Sequence, residues 1–344
     1  LGQYRKRMAL GGWIFLPEGP NLKRGDHNVR VSALRARLID PVYSVRSDEN
    51  DPDLFDAALE QAVLKFQRRH GLKADGIVGP ATLAALNVPV EDRLRQIILN
   101  MERWRWLPHD FGNRYILVNI ANFELDTIEN GQIVLEMRVV VGKKYRRTPV
   151  FTGRMTYMEL NPYWHIPSKI AKEDILPQIQ KDVGYLKRQN IRIFENWEEE
   201  ALELDPGLIE WSQITPANFS FKLVQAPGPS NALGSVKFMF PNKFSVYLHD
   251  TSAPGLFNHT KRSFSSGCIR VEKPIELAAY LLKDGREWTQ EKIVAAIDSR
   301  ETQIVRLPKP IAVQILYLTA WVDQEGKIIH FRDDVYERDN PLYE

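Results

Sequence analysis

The spacing of apolar residues changes once along this chain, near Tyr115, and that change limits what it can fold into. Before it, apolar side chains recur every three or four positions: Val31, Leu34 and Leu38, then Phe55, Leu59, Val63 and Phe66, then Leu94, Ile97, Met101 and Trp104. Such spacing places each set on one face of a helix. From Tyr115 the period falls to two, and Tyr115–Ile120, Phe123–Ile128, Ile133–Val141, Arg154–Leu160, Val236–Phe240 and Ser245–His249 read as strands. Thr302–Leu307, Ile315–Val322 and Ile328–Phe331 supply late strands, with helices at Pro274–Lys283 and Thr289–Ala296 between. A chain of 344 residues, 44% of them hydrophobic, is long enough for two cores. The expected class is multidomain α+β: a small three-helix unit, then a mainly β, sandwich-like domain with helices at one side.

Local signals sharpen the boundaries. Arg68, Arg69 and His70 suit the negative end of the second helix, and Gly71 suits a left-handed cap. Asp75-Gly76 is a turn, and Pro80 opens the third helix. A further helix, Glu91 to Trp106, is closed by Pro108 and reads as a connector, with Trp104 and Trp106 expected to pack at a domain junction. Asn130-Gly131 marks a tight hairpin. Between Asn161-Pro162 and Gly234 the alternation fails, giving a helix-like stretch, Lys169–Lys181, an acidic run, Glu198–Glu203, and turns at Pro206-Gly207 and Pro227-Gly228-Pro229. That is too long for a plain loop. It reads as an inserted subdomain, either capping a site or decorating the surface.

Charge narrows the partners. With 46 basic and 44 acidic side chains the formal charge is +2, too balanced for a dedicated nucleic-acid surface. No window reaches the length of a membrane span, and the best candidate, Ile311 to Val322, is broken by Gln314 and Thr319. The chain begins at Leu1 without a signal segment, so it reads as either a processed chain or an excised fragment.

Cys268 is the only cysteine, so it is either an inert buried thiol or a reactive one. A nucleophilic cysteine needs a base, and His249, at the end of the strand containing Val246-Tyr247-Leu248, is placed to supply one. Gly267 lets backbone amides approach a reacting carbonyl, so the N–H groups of Gly267 and Cys268 are the expected oxyanion donors. Asp250 either completes a triad or contributes only its backbone, since adjacent strand residues face opposite ways. Tyr247 shares the face of His249. It is either a donor to the oxyanion or substrate, or a half-buried strand tyrosine. Arg270 either holds a substrate carboxylate or pairs with Glu272. Trp164 either walls a cleft or packs in the core. Lys143, Lys144, Arg146 and Arg147 read as a solvated loop outside the site. No His-Glu-x-x-His or paired-cysteine pattern occurs, so no metal is expected.

The order His249, then Ser265, Gly267, Cys268 and Arg270 resembles the signature of the L,D-transpeptidase family. Ser266 departs from it, standing where many members have histidine, without touching nucleophile or base. Ala62 to Gln67, Gly71-Leu72, Asp75-Gly76 and Val78 to Leu83 resemble a three-helix peptidoglycan-binding domain. Asn161-Pro162-Tyr163-Trp164 resembles the larger Gram-negative subfamily, which carries that domain and a capping insertion. The resemblance runs from about Leu22 to Tyr343. It implies an N-terminal remnant of a scaffold region (1–21), a peptidoglycan-binding-like domain (22–88), a connecting helix (89–112) and a catalytic domain (113–344) with a cap (165–233). It further implies a Cys268 thioester and 3–3 crosslinks between diaminopimelate residues of stem peptides, with D-alanine released. Cys268 and His249 would be catalytic, and Gly267, Tyr247, Ser266, Arg270 and Trp164 would line the oxyanion or substrate site. Neither metal nor cofactor is implied. Carbapenem-type β-lactams would acylate Cys268, and the location would be periplasmic. The alternatives are an L,D-carboxypeptidase and a non-catalytic peptidoglycan-binding scaffold.

Overall fold

The computed structural model describes residues 1–39, 51–108, 110–285, 287–323 and 325–339. Part of the expected helical domain (40–50) and the expected limit at Tyr343 lie outside the described residues. The chain divides into two compact units, Leu1–Asp110 with Tyr317–Glu344, and Phe111–Leu316.

The first unit is built on helices α1 (Gly2–Ala9), α2 (Val29–Arg37), α3 (Ala57–Arg69), α4 (Pro80–Leu86) and α5 (Val90–Arg105). Asp56 caps α3 by accepting from the Leu59 N–H at 2.7 Å, and Gly71 beyond its end takes φ +64°, the left-handed conformation glycine adopts without strain. Leu34, Leu38, Phe55, Leu59, Phe66 and Leu86 form its core. Leu16 joins them, so the segment expected as a scaffold remnant is packed into this unit.

Two expectations change here. The tail from Tyr317, expected in the catalytic domain, groups with the helices because α5 holds it. The Asn100 amide donates to Thr319 Oγ1 at 2.8 Å and accepts from the Thr319 N–H at 2.9 Å, while Gln96 donates to the Thr319 and Arg332 carbonyls. Ala320–Val322 and Ile329–Phe331 therefore pair as a separate hairpin, and α5 is a structural helix of this unit. Trp104 and Trp106, expected to pack, are 43% and 62% exposed.

In the second unit, strands β1 (Arg114–Asn119), β2 (Glu124–Glu129), β3 (Gln132–Gly142) and β4 (Phe151–Leu160) come first. Asn130 and Gly131, at φ +52° and +77°, make the tight β2–β3 turn. The segment that follows folds around its own apolar core, including Ile166, Ile175, Ile179, Trp211 and Leu223. It contains β5 (Trp164–His165), α6 (Ser168–Ile170), a π turn (Ala171–Ile175), α7 (Leu176–Lys181), α8 (Gly184–Arg188), β6 (Ile191–Phe194) and β7 (Lys222–Gln225). Its ends meet where the Asn161 N–H donates to the Ser235 carbonyl at 2.8 Å.

The sheet resumes with β8 (Val236–Met239), β9 (Leu248–His249), β10 (Ser263–Ser265) and β11 (Ile269–Val271). Helices α9 (Pro274–Leu282) and α10 (Gln290–Asp298) then precede β12 (Gln303–Leu316). The strand order is β10-β3-β11-β9-β8-β4-β12-β1-β2, and β2 also pairs with β3, so the mainly β domain closes its ladder into a ring. Thr302–Leu307 and the residues from Ile315, read as separate strands, belong to one β12. An irregularity between Arg306 and Ile311 absorbs Pro308 and Pro310, which have no N–H to donate. Strand β9 is shorter than the expected Ser245–His249 because Ser245 turns to φ +54°.

Gly142, at the end of β3, is needed for close approach: a Cβ there would lie 2.1 Å from the Arg146 carbonyl and 2.8 Å from the Thr148 nitrogen. Both atoms are backbone, so neither can swing aside. Gly142→Ala is expected to lower stability by about 1–3 kcal/mol and to displace the loop that follows β3. Chemical denaturation checks this, and an unchanged midpoint would contradict it.

Candidate active site

Strand β11 lies between β3 and β9, and its parallel register with β9 sets Ile269 beside Leu248 and Arg270 beside His249. One residue earlier, the Ile269 N–H donates to the Tyr247 carbonyl at 3.1 Å, so Tyr247 and Cys268 reach the same level. Cys268, His249, Gly267, Tyr247, Ser266, Arg270 and Trp164 all line one cavity of 790 Å³. Asp174, Ile175 and Tyr185 from the inserted segment line it too, so that segment is a wall of the cavity rather than a remote decoration.

His249 is 4% exposed, and its Nδ1 lies 2.6 Å from the Asp250 carbonyl oxygen. A carbonyl only accepts, so Nδ1 carries the hydrogen and Nε2 keeps its lone pair. The Asp250 carboxylate takes no part. It accepts from the N–H groups of Ser235 at 2.8 Å and Thr251 at 2.7 Å, which selects the backbone alternative over a triad. Burial, then the Arg270 charge, push the His249 pKa down to about 3 against the pull of the Asp250 and Leu233 carbonyls.

The loop that carries Cys268 is tied from several sides. Ser265 Oγ donates to the Cys268 carbonyl and accepts from the Gly267 N–H at 3.1 Å, while Thr148 Oγ1 donates to the Gly267 carbonyl at 2.8 Å. Gly267 itself sits at φ +120°. Of the expected oxyanion pair, the Gly267 N–H bonds Ser265 Oγ in this structure, and the Cys268 N–H has no partner among the described residues.

Tyr247 neighbours the thiol, and its hydroxyl lies near enough to Cys268 and Trp164 for each to bear on its protonation. Burial first, then the neighbouring Cys268, push the Tyr247 pKa well above its usual value. Burial also raises the Cys268 pKa, which the hydrogen bonds from Tyr247 only partly offset. The thiol lies 3.9 Å from the Ser245 carbonyl as well, and among the described residues it makes no hydrogen bond to His249. The resting pair is a neutral thiol and a neutral imidazole.

Arg270 does not pair with Glu272. That carboxylate is held by Arg138, whose Nε lies 3.0 Å from Oε1. Arg270 keeps a buried Nε with no hydrogen-bond partner, and its guanidinium has no ion pair among the described residues.

Two cations that sequence reasoning missed are present. Lys237 Nζ stands 4.8 Å from the Tyr247 ring centre and pairs with Glu159 at 3.3 Å. It faces His249 across the β8–β9 pairing, a relation visible only once the register is known. Arg146, expected in solvent, has a side chain only 6% exposed, and its Nη1 donates to Ser266 Oγ at 2.7 Å. Among the described residues no group of three or more His, Cys, Asp or Glu could hold a metal, and no helix is long and apolar enough to cross a membrane.

A family model described as the L,D-transpeptidase catalytic domain (YkuD) matches residues 113–294. One described as "Putative peptidoglycan binding domain" matches residues 27–86. A Haemophilus influenzae protein described as "Putative L,D-transpeptidase" is 36% identical over 248 residues, 72% of this chain and 49% of the relative. The chain belongs to the L,D-transpeptidase family. It spans about half the length of that curated relative. Solved L,D-transpeptidases of Xylanimonas cellulosilytica and Stackebrandtia nassauensis are 16% and 12% identical, with TM-scores of 0.25 and 0.30. They cover 87% and 86% of this chain and 99% and 97% of their own, and likeness this low carries no argument about the site.

The protonation states give two expected outcomes. Alkylation of Cys268 by iodoacetamide should rise about tenfold per pH unit from about pH 7 to 9, following the thiolate fraction; a rate flat across neutral pH would indicate a preformed ion pair instead. His249 binds its proton less well folded than unfolded, so protein stability should fall as pH drops from about 6.5, the unfolded value, toward its folded value. A flatter pH dependence of Tm in His249→Asn checks this, and an unchanged slope would contradict it.

Proposed function

We propose that this chain is the catalytic part of an L,D-transpeptidase that joins peptidoglycan stem peptides through a Cys268 thioester. The observation that carries the proposal is a single cavity lined by the Cys268 thiol and Tyr247, with an oriented imidazole and an Arg270 guanidinium that has no carboxylate partner among the described residues. An inert structural cysteine has no use for that company, and neither has a binding scaffold.

The chemistry follows from these positions. The thiol proton passes to His249 Nε2 as sulfur attacks the carbonyl before a terminal D-amino acid. The Cys268 N–H receives the oxyanion, and the neighbouring Tyr247 hydroxyl is the second donor. Because its pKa is low, the resulting imidazolium is a strong acid and protonates the departing amine. The C–N bond breaks, D-alanine leaves and the thioester remains. The acceptor amine attacks, His249 takes its proton, and the thiol is regenerated as the new amide forms. Arg270 receives a stem carboxylate, and Trp164 walls the cavity beside Tyr247. No ATP is consumed, since one amide replaces another.

The finer assignments belong to the same proposal. The acceptor is a diaminopimelate side-chain amine, the product a 3–3 crosslink, and the location the periplasm, where that substrate lies. The helical unit anchors or guides the enzyme on the wall. Carbapenems, whose strained amide a thiolate opens, are the expected covalent inhibitors here.

The test is product analysis after incubation with a purified disaccharide-tetrapeptide. Crosslinked dimers from the wild type and none from folded Cys268→Ala are expected. Shortened monomers alone would make the protein an L,D-carboxypeptidase, and dimers from the variant would overturn the role of Cys268.

A further inference from the structure

Arg146 stands on the loop after β3, and this loop and the nucleophile loop are joined at several points. The Lys143 N–H donates to the Ser265 carbonyl at 2.9 Å, and Thr148 Oγ1 donates to the Gly267 carbonyl at 2.8 Å. The Arg146 side chain makes the next joint, to Ser266 Oγ, two residues before Cys268. It alone of these also reaches the inserted segment. Its Nη2 donates to Glu173 Oε2 at 2.6 Å and to Asp174 Oδ1 at 3.0 Å, and its Nη1 bonds Asp174 Oδ2.

The fork geometry explains why arginine stands there. One planar guanidinium meets two carboxylates and a hydroxyl in a fixed arrangement, which a lysine ammonium on a flexible stem would not reproduce. Glu173 and Asp174 are sequence neighbours, and successive side chains on a regular α-helix diverge widely. Here they belong to the π turn Ala171–Ile175, and both reach the one cation. Only the arginine is buried here, while Glu173 and Asp174 are 48% and 39% exposed, so these pairs add little net stability and their use is to fix a register. At this position the register is that of the nucleophile loop against the cavity wall.

We propose that Arg146 is a positioning residue, fastening the inserted segment to Ser266 so that the Cys268 N–H is held where the tetrahedral oxyanion forms. This rests on the acyl-transfer reading above and adds a residue to it. The relevant contrast is between two reactions of one thiol. Acylation by a carbapenem passes through an oxyanion and needs that N–H in place, whereas alkylation by iodoacetamide does not.

The experiment measures both rates at fixed pH for wild type, Arg146→Ala and Arg146→Lys, with thermal melts to confirm folding. Both variants should acylate about 10- to 100-fold more slowly, while alkylation changes by less than about threefold. Ser266→Ala should slow acylation as well, and adding it to Arg146→Ala should cost less than about twofold more, because both act through one joint. If Arg146→Ala does not fold, the paired Glu173→Gln and Asp174→Asn variant should show the same split between the two rates. Equal loss of both rates, or no loss of either, overturns the proposal. A wild-type protein that is alkylated but never acylated refutes the acyl-transfer reading and this inference together. A wild type that acylates while the variants keep pace refutes only the latter.

Discussion

Parallel pairing of β9 with β11 is the constraint on which the site depends. Neither strand is more than three residues long, yet their register alone sets Arg270 beside His249 and brings Tyr247 level with Cys268. Neighbouring strands lie about 4.8 Å apart, so residues remote in sequence face one cavity without any flexible linker between them. β11 is held on its other side by β3, which also carries the loop that packs under the nucleophile. A change in that register would exchange the faces of the strands and disperse the site.

The electrostatics of the cavity follow from burial. His249 is oriented by a carbonyl, not a carboxylate, and is held neutral; the thiol is held protonated. Positive charge comes from Arg270 and Lys237, both of which favour the thiolate. The thiol is therefore uncharged at rest, and in the proposed reaction it becomes charged only as sulfur attacks, when the cations and the Tyr247 hydroxyl have an anion to stabilise. An Arg270 without a protein carboxylate leaves that charge for a substrate. The inserted segment supplies the opposite wall and, through Arg146, a direct connection to the loop that carries the sulfur.

Apolar spacing revealed the helices and most of the sheet because burial on one face imposes its period wherever the chain is regular. It did not reveal that β2 pairs with β3 to close the ladder, nor that Ala320–Val322 sits with the helices, since alternation looks the same in either unit. Ser245 broke an expected strand. The Asn242 side chain, which bonds the N–H groups of Phe244 and Val246, organises a turn that periodicity does not encode. At the site, Cys268 and His249 were legible as a thiol with a base, and Trp164, Tyr247 and Arg270 as neighbours with two readings each. Arg146 was hidden by its surroundings: Lys144, Tyr145 and Arg147 beside it are exposed, and nothing local distinguishes the one guanidinium that turns inward. The bond from the Gly267 N–H to Ser265 Oγ was not legible either, because it is a matter of rotamer, not of residue type.

The central claim is that Cys268 becomes covalently acylated by a stem peptide in this cavity. Intact-protein mass spectrometry after brief incubation with a tetrapeptide stem, followed by peptide mapping, tests it directly. The account predicts an added mass equal to the stem less its terminal D-alanine, located on the peptide containing Cys268 and labile to hydroxylamine as a thioester is. An unmodified Cys268 in folded protein that still consumes the stem, or an adduct on another residue, would contradict it.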